Sequence, residues 1–298
     1  MRVLIVTGLT AVYAACFVAI KAGLPYAPPL RFAGLRTLIA SLSLFGLLIA
    51  LRRPVRAPRA TWRWIVPLAL TATASAYGAM FVSPGRAGAG IASVVGNAQP
   101  LFVSALAAIA LNERMTRGKW LTLGLGLTGV AAIAVPALVA SDAYSLSGAA
   151  FALASAGGFA AGSVLIKRMD PGSRLIPVTA WQLLLGSVAL LAASAFAERG
   201  ERVIWNVEFA VLLLFLAVPG TSVTTAVWYW LVQRDELGRL TMFFFLVPVF
   251  GLALAAVIYG ERIAPLAGVG VALILASSGS AIIDMRRAAR TPLDRIGR

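Results

Sequence analysis

The sequence contains no histidine, a single cysteine and only 11 acidic residues among its 298 positions. Without histidine it lacks the commonest metal ligand and the commonest general base of enzyme active sites. The one cysteine, Cys16, can form no internal disulfide, and we interpret it as a small apolar packing residue. These absences argue against an enzyme, and we expect neither a metal nor an organic cofactor.

Charge is scarce as well: 12% of the residues are charged and 60% are hydrophobic, whereas soluble domains carry about 25% charged residues. Hydrophobic runs of roughly 20 residues, enough to cross a bilayer as a helix, follow one another along the chain. They are apolar on every face, unlike the alternating strands of membrane barrels, so the sequence predicts an all-α integral membrane protein. Ten spans are expected, near residues 3–22, 32–51, 64–83, 87–111, 119–139, 147–167, 175–196, 208–232, 238–259 and 264–284.

The 26 Lys and Arg residues are divided unevenly between the two sets of loops. Nineteen fall on the side of the amino terminus, six fall on the opposite side, and Arg36 lies within the second span. Because basic loops stay in the cytoplasm, we predict an inner (plasma) membrane protein with both termini cytoplasmic. This topology accounts for the net charge of +15, so we do not expect nucleic-acid binding.

One pattern is written twice. A proline followed after twelve residues by Glu-Arg runs from Pro100 to Arg114 and again from Pro248 to Arg262, and Arg36 corresponds to Gln182 at nearly the same offset. Each unit holds five spans, an odd number, so the second unit must enter the membrane from the opposite face. We predict two inverted five-helix repeats around a central cavity, at residues 1–141 and 142–286, and a basic cytoplasmic tail at 287–298.

These features resemble the ten-helix EamA-type exporters of the drug/metabolite transporter superfamily. The resemblance rests on the two Pro-x12-Glu-Arg patterns, on Arg36 within span 2 and on the glycine spacing of the last spans. It covers nearly the whole chain, and within the superfamily the sequence is most similar to the aromatic amino-acid exporters of the YddG type. The family implies a basket with spans 1, 3, 4, 6, 8 and 9 lining the cavity and spans 5 and 10 bracing it. Gln182, in place of a second arginine, puts a cationic pair at that position in doubt.

Polar residues at mid-span depth are candidate substrate ligands. Asn97 and Gln99 stand beside Pro100, and Tyr77 is central in span 3. Such side chains can meet the amino and carboxylate groups of an amino acid, or they can join neighbouring helices by hydrogen bonds.

Aromatic residues are predicted to line an apolar cavity suited to flat or bulky neutral solutes. Besides Tyr77, the candidates are Tyr13, Phe81, Phe159, Trp181 and Phe244. The run from Phe243 to Phe245 covers most of a helical turn, so at least one of its rings should face inward. The run from Trp228 to Trp230 lies near the end of span 8, and we interpret it as an anchor at the membrane surface.

Four residues are candidate hinges or gates. Glu113 and Glu261 each mark the end of a span, where a carboxylate can accept hydrogen bonds from the start of the following helix; a gating latch is the alternative. Pro100 and Pro248 fall about halfway along spans 4 and 9, where a proline produces a kink or a hinge.

Arg36 is the one cation inside a hydrophobic run. Its long side chain can extend to the outer boundary of the membrane, which is the preferred interpretation. The alternative is a gate or binding role, in which the guanidinium holds a substrate carboxylate by two hydrogen bonds.

All 11 acidic residues lie in loops or at span ends, although proton-driven pumps commonly carry a titratable group inside the membrane. We therefore predict an exporter of small metabolites, most of all aromatic and other neutral amino acids, working downhill or by exchange through alternating access. The alternative is proton-coupled export of another metabolite or drug class. The expected partners are the small-molecule substrate and the lipid bilayer, with the protein a monomer or a weak homo-oligomer.

Overall fold

The computed structural model describes residues 2–83, 96, 98–139, 146–169, 174–259 and 265–290. Every regular element within these ranges is a helix, since a backbone in lipid must satisfy its own polar groups. Asn97 and Glu261, two of the predicted site residues, lie outside the described residues.

Within the described ranges, five helices lie in each half of the chain. In the first half, α1 is Arg2–Gly23, α2 is Pro29–Ala50, α3 is Arg59–Ser83, α4 is Gln99–Leu111 and α5 is Arg117–Val139. In the second half, α6 is Leu146–Arg168, α7 is Leu175–Ala197, α8 is Val207–Arg234, α9 covers 237–259 and α10 is Pro265–Arg290. Within the described ranges, eight of these helices are long and apolar enough to cross a membrane; α4 and α5 are not among them.

Helices α3 and α8 each contain a widened π-helical segment at equivalent places of the two halves. The segments are Ala69–Ser75 in α3 and Val218–Val223 in α8. Pro67 precedes the first segment and Pro219 lies within the second, and each removes a backbone hydrogen bond of the regular helix. The hydroxyl of Thr221 donates to the carbonyl of Leu216 at 2.8 Å, which satisfies one backbone acceptor of the distorted turn.

Both repeated prolines stand where helical geometry changes. In α9, a 3-10 segment at Met242–Phe245 precedes Pro248, which has no N–H to bond the carbonyl of Phe244. Pro100 lies in the first turn of α4, where a missing N–H costs little. A hinge role for the two prolines stays a prediction.

Equivalent helices of the two halves pack against each other in opposite directions. Helix α2 runs along α7: Ser41 Oγ donates to the carbonyl of Ala180 at 2.8 Å, whereas the amide of Leu30, at the other end of the pair, donates to Glu198 at 2.7 Å. Along the pair, residue numbers increase on α2 while they decrease on α7, so the two helices are antiparallel.

Helix α5 packs against α10 in the same way. Ser277 donates to the carbonyl of Thr122 at 2.7 Å. Further along, a Cβ added to Gly129 would lie 2.7 Å from the carbonyl oxygen of Gly270. Only glycine permits this approach of the two backbones, so close packing of small residues holds α5 and α10 together.

The remaining pairs surround the centre of the bundle: α1 packs against α9 and α4 packs against α6. Buried side chains form one cluster around the aromatic residues of α8 and α9, and a second around Phe32, Phe81 and Phe209. The candidate site lies between these helices.

Candidate functional site

A small cavity lies inside the bundle, with walls from seven helices. Its lining residues are Tyr13, Ala72, Tyr77, Gln99, Phe159, Ser163, Gln182, Thr225, Trp228, Tyr229 and Phe244. They come from α1, α3, α4, α6, α8 and α9, the six spans implied by the resemblance, and from α7 through Gln182. The side chains leave room for about one water molecule, so this conformation is closed around its centre.

Five of the predicted substrate-binding residues meet in this cavity: Tyr13, Tyr77, Gln99, Phe159 and Phe244. Their rings pack edge to face, with centroids 5.3 Å apart for Tyr13 and Phe244 and 5.2 Å apart for Tyr77 and Phe159. The 3-10 segment of α9 turns Phe244 inward, so one ring of the run from Phe243 to Phe245 does face the cavity.

Two predicted residues lie outside it. Phe81 is fully buried and packs on Phe32 at 5.1 Å. Trp181 packs between Phe45 and Trp62, and its indole N–H donates to the carbonyl of Val55 in the α2–α3 connection at 3.1 Å. On α7 the neighbouring residue Gln182 lines the cavity instead, since successive residues of a helix point in different directions.

The anchor interpretation is wrong for Trp228 and Tyr229. Both are buried and line the cavity. The indole N–H of Trp228 donates to Ser163 Oγ at 3.0 Å, and the hydroxyl of Tyr229 donates to Gln182 Oε1 at 2.8 Å. The internal repeat could have indicated this position. Thr225 is the repeat equivalent of the predicted cavity residue Tyr77, and Tyr229 follows Thr225 by one helical turn.

The cavity presents free polar groups between its rings. Among the described residues, the hydroxyls of Tyr13 and Tyr77 and the amide of Gln99 have no hydrogen-bond partner. Thr225 Oγ1 is likewise buried without a partner there. The arrangement therefore combines aromatic walls with a few available donors and acceptors, as small-molecule sites do. Within the described ranges, no cluster of three or more His, Cys, Asp or Glu side chains could hold a metal ion.

Arg36 does not reach the membrane boundary, and the preferred expectation for it is wrong. Its side chain is fully buried, with Nε donating to Thr221 Oγ1 at 2.7 Å and Nη2 donating to the carbonyl of Gly220 at 3.1 Å. The guanidinium carbon lies 4.9 Å from the ring centre of Tyr77. The π-helical segment of α8 holds the arginine inside because it offers acceptors that lipid does not.

Glu113 caps a helix, but not the one that follows it. Its Oε1 accepts from the amide of Leu237 at 2.9 Å and its Oε2 accepts from the amide of Gly238 at 3.0 Å. These amides open α9, in the other half of the chain, rather than α5 as expected. The carboxylate therefore ties the two halves together at this end of the bundle.

Other polar contacts close the same end. Arg2 pairs with Asp235 at 2.7 Å, and Arg168 donates to the carbonyl of Ala110 at 2.7 Å. Lys119 pairs with the carboxylate of Glu236. Each contact joins segments that are distant in sequence, so charged side chains close this end of the bundle.

The opposite end carries an equivalent cap. Glu198 accepts from the amides of Leu30 and Arg31, at 2.7 and 3.0 Å, and so caps the start of α2. Nearby, the hydroxyl of Tyr26 donates to Glu208 at 2.7 Å. This hydrogen bond raises the pKa of Tyr26, because a phenolate there would give up the bond and face the carboxylate.

The sequence matches one protein family twice. The profile of the EamA-like transporter family fits residues 2–135 and again residues 146–281. The transporter YvbV of Bacillus subtilis is 31% identical over 258 residues, covering 86% of this chain and 83% of that protein. A protein of Salmonella typhimurium named a probable amino-acid metabolite efflux pump is 29% identical over 270 residues, covering 87% of each chain.

A solved crystal structure shares the fold. It superimposes with a TM-score of 0.80 over 96% of this chain and 98% of its own, at 17% sequence identity. At 17% identity the similarity shows a common arrangement of helices and nothing about function.

Proposed function

The chain belongs to the EamA-like transporter family and is a membrane transporter; we propose that it exports small neutral metabolites, above all amino acids with aromatic or other apolar side chains. The observation that carries the proposal is the cavity, in which aromatic rings from both halves surround a few unpaired polar groups. The name of the Salmonella relative, an amino-acid metabolite efflux pump, supports the same substrate class.

The residues that line the cavity suit the two ends of such a substrate once the cavity has opened. The rings of Phe159, Trp228 and Phe244 can pack on an apolar side chain, as aromatic pairs do at 4.5–7 Å. The hydroxyl of Tyr77 and the amide of Gln99 can then form hydrogen bonds with the polar end of the substrate. Asn97, close to Gln99 in sequence, is assigned to the same site.

The transport mechanism proposed is alternating access by two inverted five-helix repeats spanning the membrane ten times. The antiparallel packing of α2 with α7 and of α5 with α10 supports this arrangement, because helices related by a two-fold axis in the membrane plane must cross in opposite directions. We place the protein in the inner membrane of a bacterial-type cell, with both termini in the cytoplasm, as a monomer or weak homo-oligomer.

In this orientation the end closed by Glu113 faces the cytoplasm. Opening toward the cytoplasm then requires the start of α9 to leave the Glu113 carboxylate, with Pro100 and Pro248 as hinges. Glu261 is assigned the corresponding role at the outer face, on the strength of the repeat.

Transport is proposed to run downhill or by exchange. No acidic side chain belongs to the lining of the cavity within the described residues, and a neutral site offers no group whose protonation would follow the pH gradient.

The test is counterflow in proteoliposomes loaded with unlabelled phenylalanine. Labelled phenylalanine and leucine are expected to accumulate, lysine and glutamate are not, and an imposed pH gradient should leave the rates unchanged. Tyr77→Ala and Gln99→Ala should reduce flux without loss of folded protein. The substrate assignment fails if no amino acid exchanges, and downhill transport is excluded if flux needs the gradient.

A further inference from the structure

Arg36 carries a buried positive charge with one unused donor group. Nε and Nη2 are bonded to Thr221 and Gly220, but Nη1 has no partner in the described residues and no exposure to solvent. Three of its five N–H groups, two on Nη1 and one on Nη2, therefore have no acceptor in the described part of the chain.

No carboxylate balances this charge in the described part of the chain. The ion pairs found there all lie near one end of the bundle and join Arg2, Lys119 or Arg239 to acidic residues. The described surroundings of Arg36 are neutral dipoles, the thiol of Cys16 and the rings of Tyr77 and Phe81, which lie 4.9 and 5.7 Å away. An unpaired buried cation is costly, and cation–π contacts offset only part of that cost.

The second half shows that the fold does not need the charge. There Gln182 stands in place of Arg36, and its Nε2 donates to Thr73 Oγ1 at 2.9 Å, just as Arg36 donates to Thr221. Thr73 and Thr221 lie in the two equivalent π-helical segments. The carbonyl of Gln182 is also bonded, to Tyr229. A neutral amide thus completes this helix contact, so the arginine has a role besides packing.

Arg36 also adjoins the cavity. Tyr77 lines the cavity and lies under the guanidinium, so a single side chain contacts both. Tyr77 has no hydrogen bond in the described residues to hold its ring in place. A change of its rotamer would remove the ring that lies between the guanidinium and the cavity.

We propose that Arg36 forms an anion subsite, in which Nη1 binds the carboxylate of the transported amino acid once Tyr77 moves aside. The inference rests on the proposed function for the identity of the anion. A bidentate contact with Nη1 and Nη2 matches the geometry of a carboxylate, while the apolar side chain stays among the rings of the cavity. Chloride has the same charge and is separated from the carboxylate by the experiment.

The experiment compares binding of phenylalanine and phenylalaninamide, which lacks the carboxylate, to purified protein by calorimetry. Wild-type protein should prefer phenylalanine by about ten- to a hundredfold, the range of a hydrogen bond to a charged group. Arg36→Gln should reduce this preference to less than threefold, chiefly by weakening the binding of phenylalanine. Arg36→Lys should restore it in part, because the ammonium keeps the charge but not the fork.

A second variant guards against misfolding. Arg36→Gln combined with Phe81→Tyr reproduces in the first half the pair that Gln182 and Tyr229 form in the second. If Arg36→Gln alone is unstable, the double variant supplies the folded protein, and it should show the same loss of preference. An unchanged preference for phenylalanine in either folded variant overturns the proposal.

Failure of the proposed function gives a different result. If wild-type protein binds neither phenylalanine nor its amide, the substrate assignment is wrong, and the subsite is tested by thermal unfolding in chloride against gluconate. Stabilisation by chloride in wild type but not in Arg36→Gln keeps an anion subsite and rejects the carboxylate as its ligand. No difference between the anions overturns the subsite as well.

Discussion

Gln182 of α7 donates a hydrogen bond to Thr73 of α3 across the interface between the two halves, at 2.9 Å. Arg36 and Thr221 form the equivalent bond, at 2.7 Å, from α2 to α8. Both threonines lie in π-helical segments, whose irregular turns free polar groups for contacts between helices. The two halves therefore form the same helix-to-helix hydrogen bond at the centre of the bundle, with the neutral Gln182 as donor in one and the cationic Arg36 as donor in the other.

The bond between Tyr229 and Gln182 should matter for stability. Tyr229→Phe leaves the carbonyl of Gln182 buried without a partner, and a loss of about 1–3 kcal/mol in the free energy of unfolding is expected. Tyr13→Phe is the matched control, because its hydroxyl has no partner in the described residues. Thermal unfolding in detergent measures both, and equal destabilisation by the two changes would contradict the structure.

Two tryptophans should separate binding from stability. Trp228→Phe replaces the indole that lies 4.9 Å from Phe244 in the cavity by a smaller ring and removes its hydrogen bond to Ser163, so the KM for phenylalanine transport should rise about two- to tenfold. Trp181→Phe removes a bond to the α2–α3 connection and should lower stability with KM unchanged. A rise in KM for Trp181→Phe alone would place the site elsewhere.

The cap on α9 should control access from the cytoplasm. Glu113→Gln removes the charge that holds the amides of Leu237 and Gly238, so a thiol introduced by Thr225→Cys should react about two- to thirtyfold faster with a reagent added from that side. Glu198→Gln makes the same chemical change at the other end, on α2, and should leave this rate unaltered. Equal acceleration by both variants would show general loosening instead of a gate.

A glycine pair tests the contact between α6 and the π-helical segment of α3. A Cβ on Gly158 would come within 2.7 Å of the carbonyl oxygen of Thr71, whereas a Cβ on Gly157 meets nothing within 4 Å. Gly158→Ala should therefore lower the melting temperature and the yield of folded protein. Gly157→Ala should be neutral or stabilise by up to about 1 kcal/mol through helix propensity; the reverse order would disprove the packing.

Cysteine labelling tests the inversion of the repeats. Arg53 and Arg199 are exposed residues in equivalent loops, and Arg53→Cys and Arg199→Cys should react with an impermeant thiol reagent from opposite faces of the membrane. Thr116→Cys, also exposed, should label from the same face as Arg53→Cys. The native thiol of Cys16 is buried and gives a low background. Labelling of positions 53 and 199 from one face would rule out the inverted arrangement.

The sequence by itself determined the class of protein. Long apolar runs with charge confined to their ends can satisfy their backbone hydrogen bonds in a membrane only as helices. The duplicated Pro-x12-Glu-Arg pattern predicted two repeats, and the double family match confirms them. These properties depend on composition and spacing along the chain, and neighbours in space do not alter them.

The tertiary structure decided which side chains meet. In helices that are largely apolar, the sequence does not show which tryptophan faces inward. In the folded bundle Trp228 lines the cavity, whereas Trp181 lies outside it. Arg36 turned inward because a distorted turn of α8, remote in sequence, offered it two acceptors. Glu113 capped α9 because the folded bundle brings that helix start to it. Contacts between the halves set these outcomes, and such contacts exist only once the helices have packed.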